Sequence, residues 1–99
     1  FTTDTAGVLR ALQLSCDIVL KGTRVDGVYS KDPEKFDDAV FYPELSYQKV
    51  LDDRLRVMDS TSFTLCQENN LPIVVFNFEV KGNLKRIVTG EKIGTLVRN

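Results

Sequence analysis

The residues best suited to chemistry form a polar stretch, KGTRVDGVYSKDP, at residues 21–33. Its two glycines allow the backbone to approach a ligand closely or to adopt positive φ angles at low cost. Thr23 offers a hydroxyl, Tyr29 a flat aromatic face and Asp32 an acceptor for sugar hydroxyls, while Lys21 and Arg24 are cationic donors. Together these groups suit a nucleotide. An ordinary surface loop has a similar composition, and the stretch matches neither of the common glycine-rich phosphate motifs.

A second candidate is the FTTD segment at residues 1–4, which precedes a helical pattern. Backbone N–H groups and hydroxyls at the N-terminus of a helix form a ready anion site. Thr3 or Asp4 can equally serve as a helix cap. The two roles are compatible, because the backbone donors can serve a ligand while a side chain serves the helix.

Bulk composition narrows the function classes. The 13 basic and 14 acidic residues nearly balance, which argues against general binding to nucleic acid or to a membrane surface. No apolar run approaches the roughly 18 residues of a membrane span. Histidine is absent from the sequence, which excludes His-based catalysis and Cys/His zinc sites. Cys16 and Cys66 lie in mainly apolar surroundings and are predicted to be reduced thiols of a cytoplasmic protein.

The elements that position the polar stretch follow a helix–strand order. Apolar residues at helical spacing between residues 6 and 12 predict a helix, and the apolar run at residues 17–21 predicts a buried strand. The strongest strand is predicted for residues 73–77, IVVFN, which suits the interior of a parallel sheet. Ligands of open α/β sheets bind beyond the carboxyl ends of the strands. The polar stretch is predicted to leave from such an end, as is the region around Asn77.

The remaining segments carry shorter signals. Ser46 can cap a helix over residues 47–53, and Asp59 or Ser60 can cap another that ends near residue 69. A helical turn is predicted at residues 81–86, and short strands are predicted at residues 87–89 and 95–97. The predicted fold is α/β, a layered αβα arrangement around a mainly parallel sheet, with residues 1–99 in a single domain.

Several segments taken together resemble one protein family. FTTDTA, LKGTRVDGVYSKDP, RVMDSTSFTLC, NNLPIVVFN and GNLKRIVTGEKIGTLV are similar, in this order, to the carboxyl-terminal part of bacterial uridylate (UMP) kinases. These enzymes belong to the amino acid kinase superfamily. The resemblance covers essentially the whole chain, and KGTRVDGVY, VMD and the GEKIGTLV tail are jointly specific.

The resemblance implies phosphoryl transfer from ATP to UMP, with Mg²⁺, to give ADP and UDP. Such a site acts by positioning and charge stabilisation rather than by covalent chemistry. Asp4 matches an aspartate near the transferring phosphoryl group, where it orients cationic groups and is the implied catalytic residue. The residues with an implied UMP-binding role are Phe1, Thr2 and Thr3. The residues with implied ATP contacts are Thr23, Tyr29 and Asp32.

The resemblance also implies features that these 99 residues do not hold. A lysine loop, glycine-rich phosphate turns and an acidic contact to the UMP sugar are expected upstream of Phe1, and FTTD itself reads as the middle of a loop. We therefore expect the 99 residues to be part of a longer protein. The resemblance further implies a homohexamer that is controlled by GTP and UTP and acts in pyrimidine biosynthesis. The 99 residues alone are expected to be inactive. Asp59 lies where some relatives place a phosphate-contacting lysine, and an acid cannot fill that role. Asp59 is therefore predicted to be a helix cap, and a further role near the site stays open.

Two other functions stay open on the sequence. A different amino acid kinase would phosphorylate a carboxylate or carbamate, which FTTD and the VMD segment disfavour. A nucleotide-binding module without turnover is also compatible, because function resides in the site rather than in the scaffold. Acceptor tests with the intact protein distinguish the first alternative, and ATP binding without ADP production would indicate the second.

Overall fold

The computed structural model describes residues 3–14 and 17–99, with residues 3–5 defined by their backbone alone. Helices and strands alternate through this part of the chain. The helices are α1 (Thr3–Gln13), α2 (Tyr47–Asp52), α3 (Ser60–Glu68) and α4 (Asn83–Val88). The strands are β1 (Val19–Thr23), β2 (Val28–Tyr29), β3 (Phe41–Tyr42), β4 (Glu44–Ser46), β5 (Ile73–Asn77) and β6 (Thr95–Arg98).

Four of these strands form one sheet in the order β1-β5-β6-β4. β1 and β5 are parallel, as are β4 and β6, whereas β5 and β6 are antiparallel. The predicted α/β class with a mainly parallel sheet is confirmed, although β5 has one antiparallel neighbour. β2 and β3 form a separate antiparallel pair beside this sheet.

The first strand differs from its prediction in position. β1 covers Val19–Thr23 rather than residues 17–21. Its pairing with β5 runs from Val19 opposite Ile73 to Thr23 opposite Asn77 and carries the strand through two residues whose types suggested a loop. The beginning of the polar stretch therefore belongs to the sheet, and the loop proper starts at residue 24.

The predicted strand at residues 87–89 is wrong. α4 runs to Val88, and Thr89 is its C-cap. The N–H groups of Gly90 and Glu91 donate back to carbonyls of the last turn of α4, with Gly90 at φ 95°. Glycine adopts this left-handed conformation without a Cβ clash, so the glycine ends a helix where the β-branched residues suggested a strand. The last predicted strand, by contrast, is confirmed as β6.

The hydrophobic core lies on one face of the sheet. Val8 of α1, Val50 of α2 and Phe63 of α3 pack over it, against Ile73 and Val75 of β5 among others. Burial of this kind stabilises by about 25 cal/mol per Å² of apolar surface removed from water. The predicted helix near the start of the chain is confirmed as α1, and it packs against α3.

The opposite face of the sheet carries α4. Successive strand residues point to opposite faces, so Val74 points away from the core. It shares a cavity with Ile87 of α4 and Leu96 of β6. Helices therefore flank both faces, as in the predicted αβα arrangement.

Both predicted helix caps are present. Ser46 Oγ accepts a hydrogen bond from the backbone N–H of Lys49 at 3.0 Å, and Asp59 Oδ1 accepts one from that of Ser62 at 3.0 Å. Such caps stabilise a helix by about 1 kcal/mol each. Cys66 in α3 is a fully buried free thiol, as predicted, whereas Cys16 lies outside the described residues. None of the helices in residues 3–14 and 17–99 is long and apolar enough to cross a membrane.

Candidate functional site

The carboxyl ends of β1 and β5 lie side by side. Thr23 is opposite Asn77 in the parallel ladder, and the backbone N–H of Phe78 donates to the carbonyl of Thr23 at 3.0 Å. The Asn77 side chain reaches Asp26 in the loop after β1, with Nδ2 and Oδ1 3.4 Å apart. The polar loop therefore leaves from the edge of the sheet at which the sequence analysis expected a ligand.

A cleft of about 630 Å³ opens between this loop and the segment that joins α2 to α3. Its walls combine aromatic, cationic and carboxylate side chains with backbone. The lining residues include Arg24, Tyr29, Lys31, Asp32, Glu34, Lys35, Phe36, Arg54 and Arg56. Two of the three residues with predicted ATP contacts are thus brought together in one cleft.

Thr23, the third of these residues, is not part of the cleft lining. Its hydroxyl donates to the carbonyl of Val25 at 2.7 Å and accepts from the N–H of the same residue at 3.2 Å. These bonds turn the chain out of β1 at the base of the loop. In the structure Thr23 therefore shapes the loop, and its predicted contact with ATP stays a prediction.

Tyr29 is a half-buried wall of the cleft. Its ring packs edge-to-face against Phe41, with ring centroids 5.4 Å apart and an interplanar angle of 64°. Partial burial, and next the nearby Asp26 carboxylate, raise the pKa of the Tyr29 hydroxyl above its usual value. The side chain therefore offers a fixed aromatic surface and a neutral hydroxyl at physiological pH.

Asp32 organises the tip of the loop. Its Oδ1 accepts the backbone N–H of Glu34 at 2.9 Å, and its carbonyl accepts those of Lys35 and Phe36 at 3.2 and 3.0 Å. These bonds close a tight turn around Pro33. The carboxylate is held at the cleft as a fixed acceptor, which is compatible with the predicted recognition of hydroxyl groups.

The cleft has an excess of positive charge. Five cationic side chains line it, against Asp32 and Glu34, so the charge of the lining side chains alone is five minus two, or +3. Lys31 is neutralised by Asp38, with Nζ and Oδ2 2.6 Å apart, and lies over the Phe36 ring. The hydrogen bond from Lys31 lowers the pKa of Asp38 and keeps that partner ionised. A positively charged, partly aromatic cleft suits a nucleotide better than a neutral metabolite.

The residues predicted to bind the phosphoryl acceptor are only partly described. A helix follows FTTD as predicted, but α1 already begins at Thr3, and Asp4 lies in its first turn. Thr3 and Asp4 are therefore helical residues and not the predicted cap, which precedes the first helical residue. Phe1 and Thr2 lie outside the described residues, as do the side chains of Thr3 and Asp4. The roles assigned to these four residues stay predictions.

The family is decided by comparison with known proteins. Residues 1–77 match the model of the amino acid kinase family. The chain belongs to the amino acid kinase family.

The chain is also similar to solved structures of UMP and uridylate kinases. The UMP kinase from Bacillus anthracis superposes with a TM-score of 0.93 at 38% sequence identity, over 99% of this chain and 41% of its own. The UMP kinase from Ureaplasma parvum has a TM-score of 0.92 at 37% identity, over 100% and 43% of the two chains. The uridylate kinase from Archaeoglobus fulgidus has a TM-score of 0.82 at 31% identity, over 98% and 47%. The present chain thus spans less than half the length of each of these kinases.

One residue that supports the cleft was missed by the sequence analysis. Thr95 of β6 is fully buried, its Oγ1 accepts the N–H of Val28 at 2.8 Å, and its hydroxyl donates to the carbonyl of Tyr42. A Cβ on Gly27 would lie 2.4 Å from Thr95 Oγ1, so only glycine fits there. Thr95 therefore ties the β2–β3 pair, which carries Tyr29, to the main sheet. The only signal in the sequence was the GT step of the GEKIGTLV tail.

Asp59 behaves in this kinase fold as the sequence analysis predicted. Both of its carboxylate oxygens are within hydrogen-bond distance of Ser62 Oγ, at 2.9 and 3.0 Å, in addition to the cap on the backbone.

Within residues 3–14 and 17–99 no group of three acidic or cysteine side chains could hold a metal ion. A magnesium ion that accompanies a nucleotide usually takes most of its ligands from the phosphates and from water, with one or two carboxylates. The described residues are compatible with that mode and not with a metal cage made by the protein alone.

Proposed function

We propose that this chain is the ATP-binding part of a UMP kinase, which transfers the γ-phosphoryl group of ATP to UMP and yields ADP and UDP. The observation that carries the proposal is the cationic cleft at the carboxyl ends of β1 and β5, with Tyr29 and Asp32 in its walls. The likeness to three UMP kinases at 31–38% identity supports the choice of UMP as acceptor.

On this proposal each side of the site has its own task. Tyr29 provides an aromatic wall for ATP, and Asp32 accepts hydrogen bonds from its hydroxyl or amino groups. Thr23 contacts ATP at the base of the loop that holds both residues. Phe1, Thr2 and Thr3 bind UMP at the start of α1. Asp4 orients the cationic groups around the transferring phosphoryl group. These residues work by alignment and by neutralising charge, which is how phosphoryl transfer is catalysed in general.

Magnesium completes the proposed donor, as Mg²⁺–ATP. When bound to the phosphates it supplies positive charge that stabilises the negative charge of the transferring group. We further propose a cytoplasmic homohexamer that acts in pyrimidine biosynthesis and has neither nucleic acid nor membrane partners. The near-balance of 13 basic and 14 acidic residues supports the last point.

The test is an acceptor screen with the full-length protein. ADP production from ATP and Mg²⁺ is measured with UMP, with carbamate and with amino acid carboxylates as acceptors. We expect turnover with UMP and formation of UDP. Turnover only with a carboxylate or carbamate would indicate another amino acid kinase, and ATP binding without ADP production would indicate a binding module. Residues 1–99 alone serve as a control and are expected to form no UDP.

A further inference from the structure

The segment that forms one wall of the cleft begins at the C-terminal end of α2, where an unusual residue type occupies the position after the C-cap. α2, α3 and α4 all end in the same way, with two backbone N–H groups that donate back into the last turn. At α2 the donors are Arg54 and Leu55, bound to the carbonyls of Leu51 and Val50 at 3.3 and 2.9 Å. This pattern requires a left-handed residue directly after the C-cap.

The residue in that left-handed position differs among the three helices. It is Gly90 after α4, Asn70 at φ 55° after α3, and Arg54 at φ 52° after α2. Glycine has no Cβ and asparagine tolerates this conformation, whereas a long side chain adopts it at a cost. Arginine is thus the residue type among the three that the backbone favours least.

Packing does not explain the arginine. The Arg54 side chain is exposed, and the core contact of this segment is made by the adjacent Leu55. Strained residues of this kind are concentrated at functional sites. Because Arg54 lines the cleft, a ligand of the cleft would explain why an arginine occupies this position.

In the cleft, Arg54 differs from two of its cationic neighbours. Lys31 is paired with Asp38 and Arg24 lies 3.7 Å from Glu79. Arg54 and Arg56 have no carboxylate within salt-bridge distance in the described part of the chain. The positive charge of this wall is therefore not neutralised by the protein's own described side chains.

We infer that Arg54 binds the phosphate chain of the nucleotide that occupies the cleft, an inference that rests on the proposed ATP site. The planar guanidinium presents paired N–H donors that match two oxygens of a phosphate. Its place at the end of α2 holds it opposite the Tyr29 and Asp32 wall. The backbone cost of arginine at this position is then the consequence of a binding role rather than of folding.

The experiment compares three variants of the full-length protein by calorimetric titration with ATP and with adenosine, together with thermal melting. Arg54→Gln removes the charge and keeps a long side chain in the left-handed position. Arg54→Gly removes the charge and relieves the backbone. Asn70→Gly is the matched control, because it places glycine in the equivalent left-handed position at the end of α3, away from the cleft.

We expect both Arg54 variants to raise the Kd for ATP about 10- to 100-fold, the usual loss for a hydrogen bond to a charged group. Their Kd for adenosine should change less than about twofold, because adenosine has no phosphates. Arg54→Gly should raise Tm, whereas Arg54→Gln should not; Asn70→Gly should not raise Tm, because asparagine tolerates the left-handed conformation and its Oδ1 accepts a hydrogen bond from Asn99. Asn70→Gly should leave ATP binding unchanged.

Two outcomes would overturn the inference while leaving the proposed function in place. Wild-type ATP affinity in Arg54→Gln and Arg54→Gly would mean that Arg54 is only a tolerated helix end. Equal losses for ATP and adenosine would mean a contact with the base or ribose rather than with phosphate. Failure of the proposed function appears separately, as a wild-type protein that neither binds ATP nor forms UDP.

Discussion

The hydroxyl of Thr95 accepts the backbone N–H of Val28 at 2.8 Å, across 67 residues of sequence. The same hydroxyl donates to the carbonyl of Tyr42, so one buried side chain is hydrogen-bonded to the backbone of both strands of the β2–β3 pair. The wall of the cleft that carries Tyr29 is therefore held to β6 through Thr95. This relationship makes the stability of the sheet and the geometry of the cleft interdependent.

Replacing Thr95 by valine should destabilise the protein and loosen the cleft together. The shape is preserved, but the N–H of Val28 and the carbonyl of Tyr42 lose their partner, which costs about 1–3 kcal/mol for a buried unsatisfied group. Urea unfolding measures the loss, and ATP titration should show weaker binding. Thr95→Ser keeps the hydroxyl and should restore most of both. The control Thr64→Val, on the exposed side of α3, should do neither, and a stable Thr95→Val protein with normal ATP affinity would contradict the coupling.

The stability of the fold should fall in alkaline solution because of Tyr47. This side chain is 1% exposed, its hydroxyl donates to the carbonyl of Leu71, and burial raises its pKa to about 12. The folded state thus holds the phenol proton more tightly than the unfolded chain, whose tyrosine titrates near 10. The resulting stability is fully present below pH 10 and is lost as the pH rises to about 12.

Tyr47→Phe isolates this contribution. The variant should lose about 1–3 kcal/mol at neutral pH, because the Leu71 carbonyl is left unpaired. Its free energy of unfolding should then decline less steeply than that of the wild type between pH 10 and 12. Burial also raises the pKa of Cys66 to about 11, so a decline that begins near pH 9 should remain in the variant. Parallel curves for the two proteins above pH 10 would contradict the assignment to Tyr47.

Tyr29→Ala should weaken ATP binding more than UMP binding in the full-length protein. Loss of an aromatic surface against a base costs about 1–3 kcal/mol in nucleic acid complexes, and a similar loss is expected here. Tyr29→Phe keeps the flat face and the contact with Phe41, and should retain most of the affinity. The two affinities are measured by calorimetry. Equal losses for ATP and UMP would indicate general damage to the loop instead of a lost contact.

Asp4→Asn should separate folding from catalysis. Asp4 lies in the first turn of α1, where loss of the negative charge costs about 0.3–1 kcal/mol of interaction with the helix dipole, so the melting temperature should fall only slightly. If Asp4 orients the catalytic cations, kcat with UMP should fall about 100-fold or more, as when a single electrostatic group of an active site is removed. Asp17→Asn, an exposed acid before β1, is the matched control and should leave kcat unchanged. A normal kcat in Asp4→Asn would remove Asp4 from the active site.

The main elements could be predicted because they depend on neighbouring residues. The uncharged run IVVFN forms β5, and Ser46 and Asp59 begin helices through bonds to residues three positions later. Helical periodicity and capping act over a few residues, so the sequence displays them directly. The position of the polar loop at the carboxyl end of a strand could be predicted from the order of helices and strands alone.

The register and the supports of the site depended on distant partners. β1 shifted by two residues because β5, some 50 residues later, determines which residues pair. Neither the bond from Val28 to Thr95 nor the exposure of Arg54 in the cleft has a local signature. Sequence alone determined which segments become helices, strands and the polar loop. Only the tertiary structure decided which side chains from separate segments share the cleft, because those contacts form when packing of the core brings the segments together.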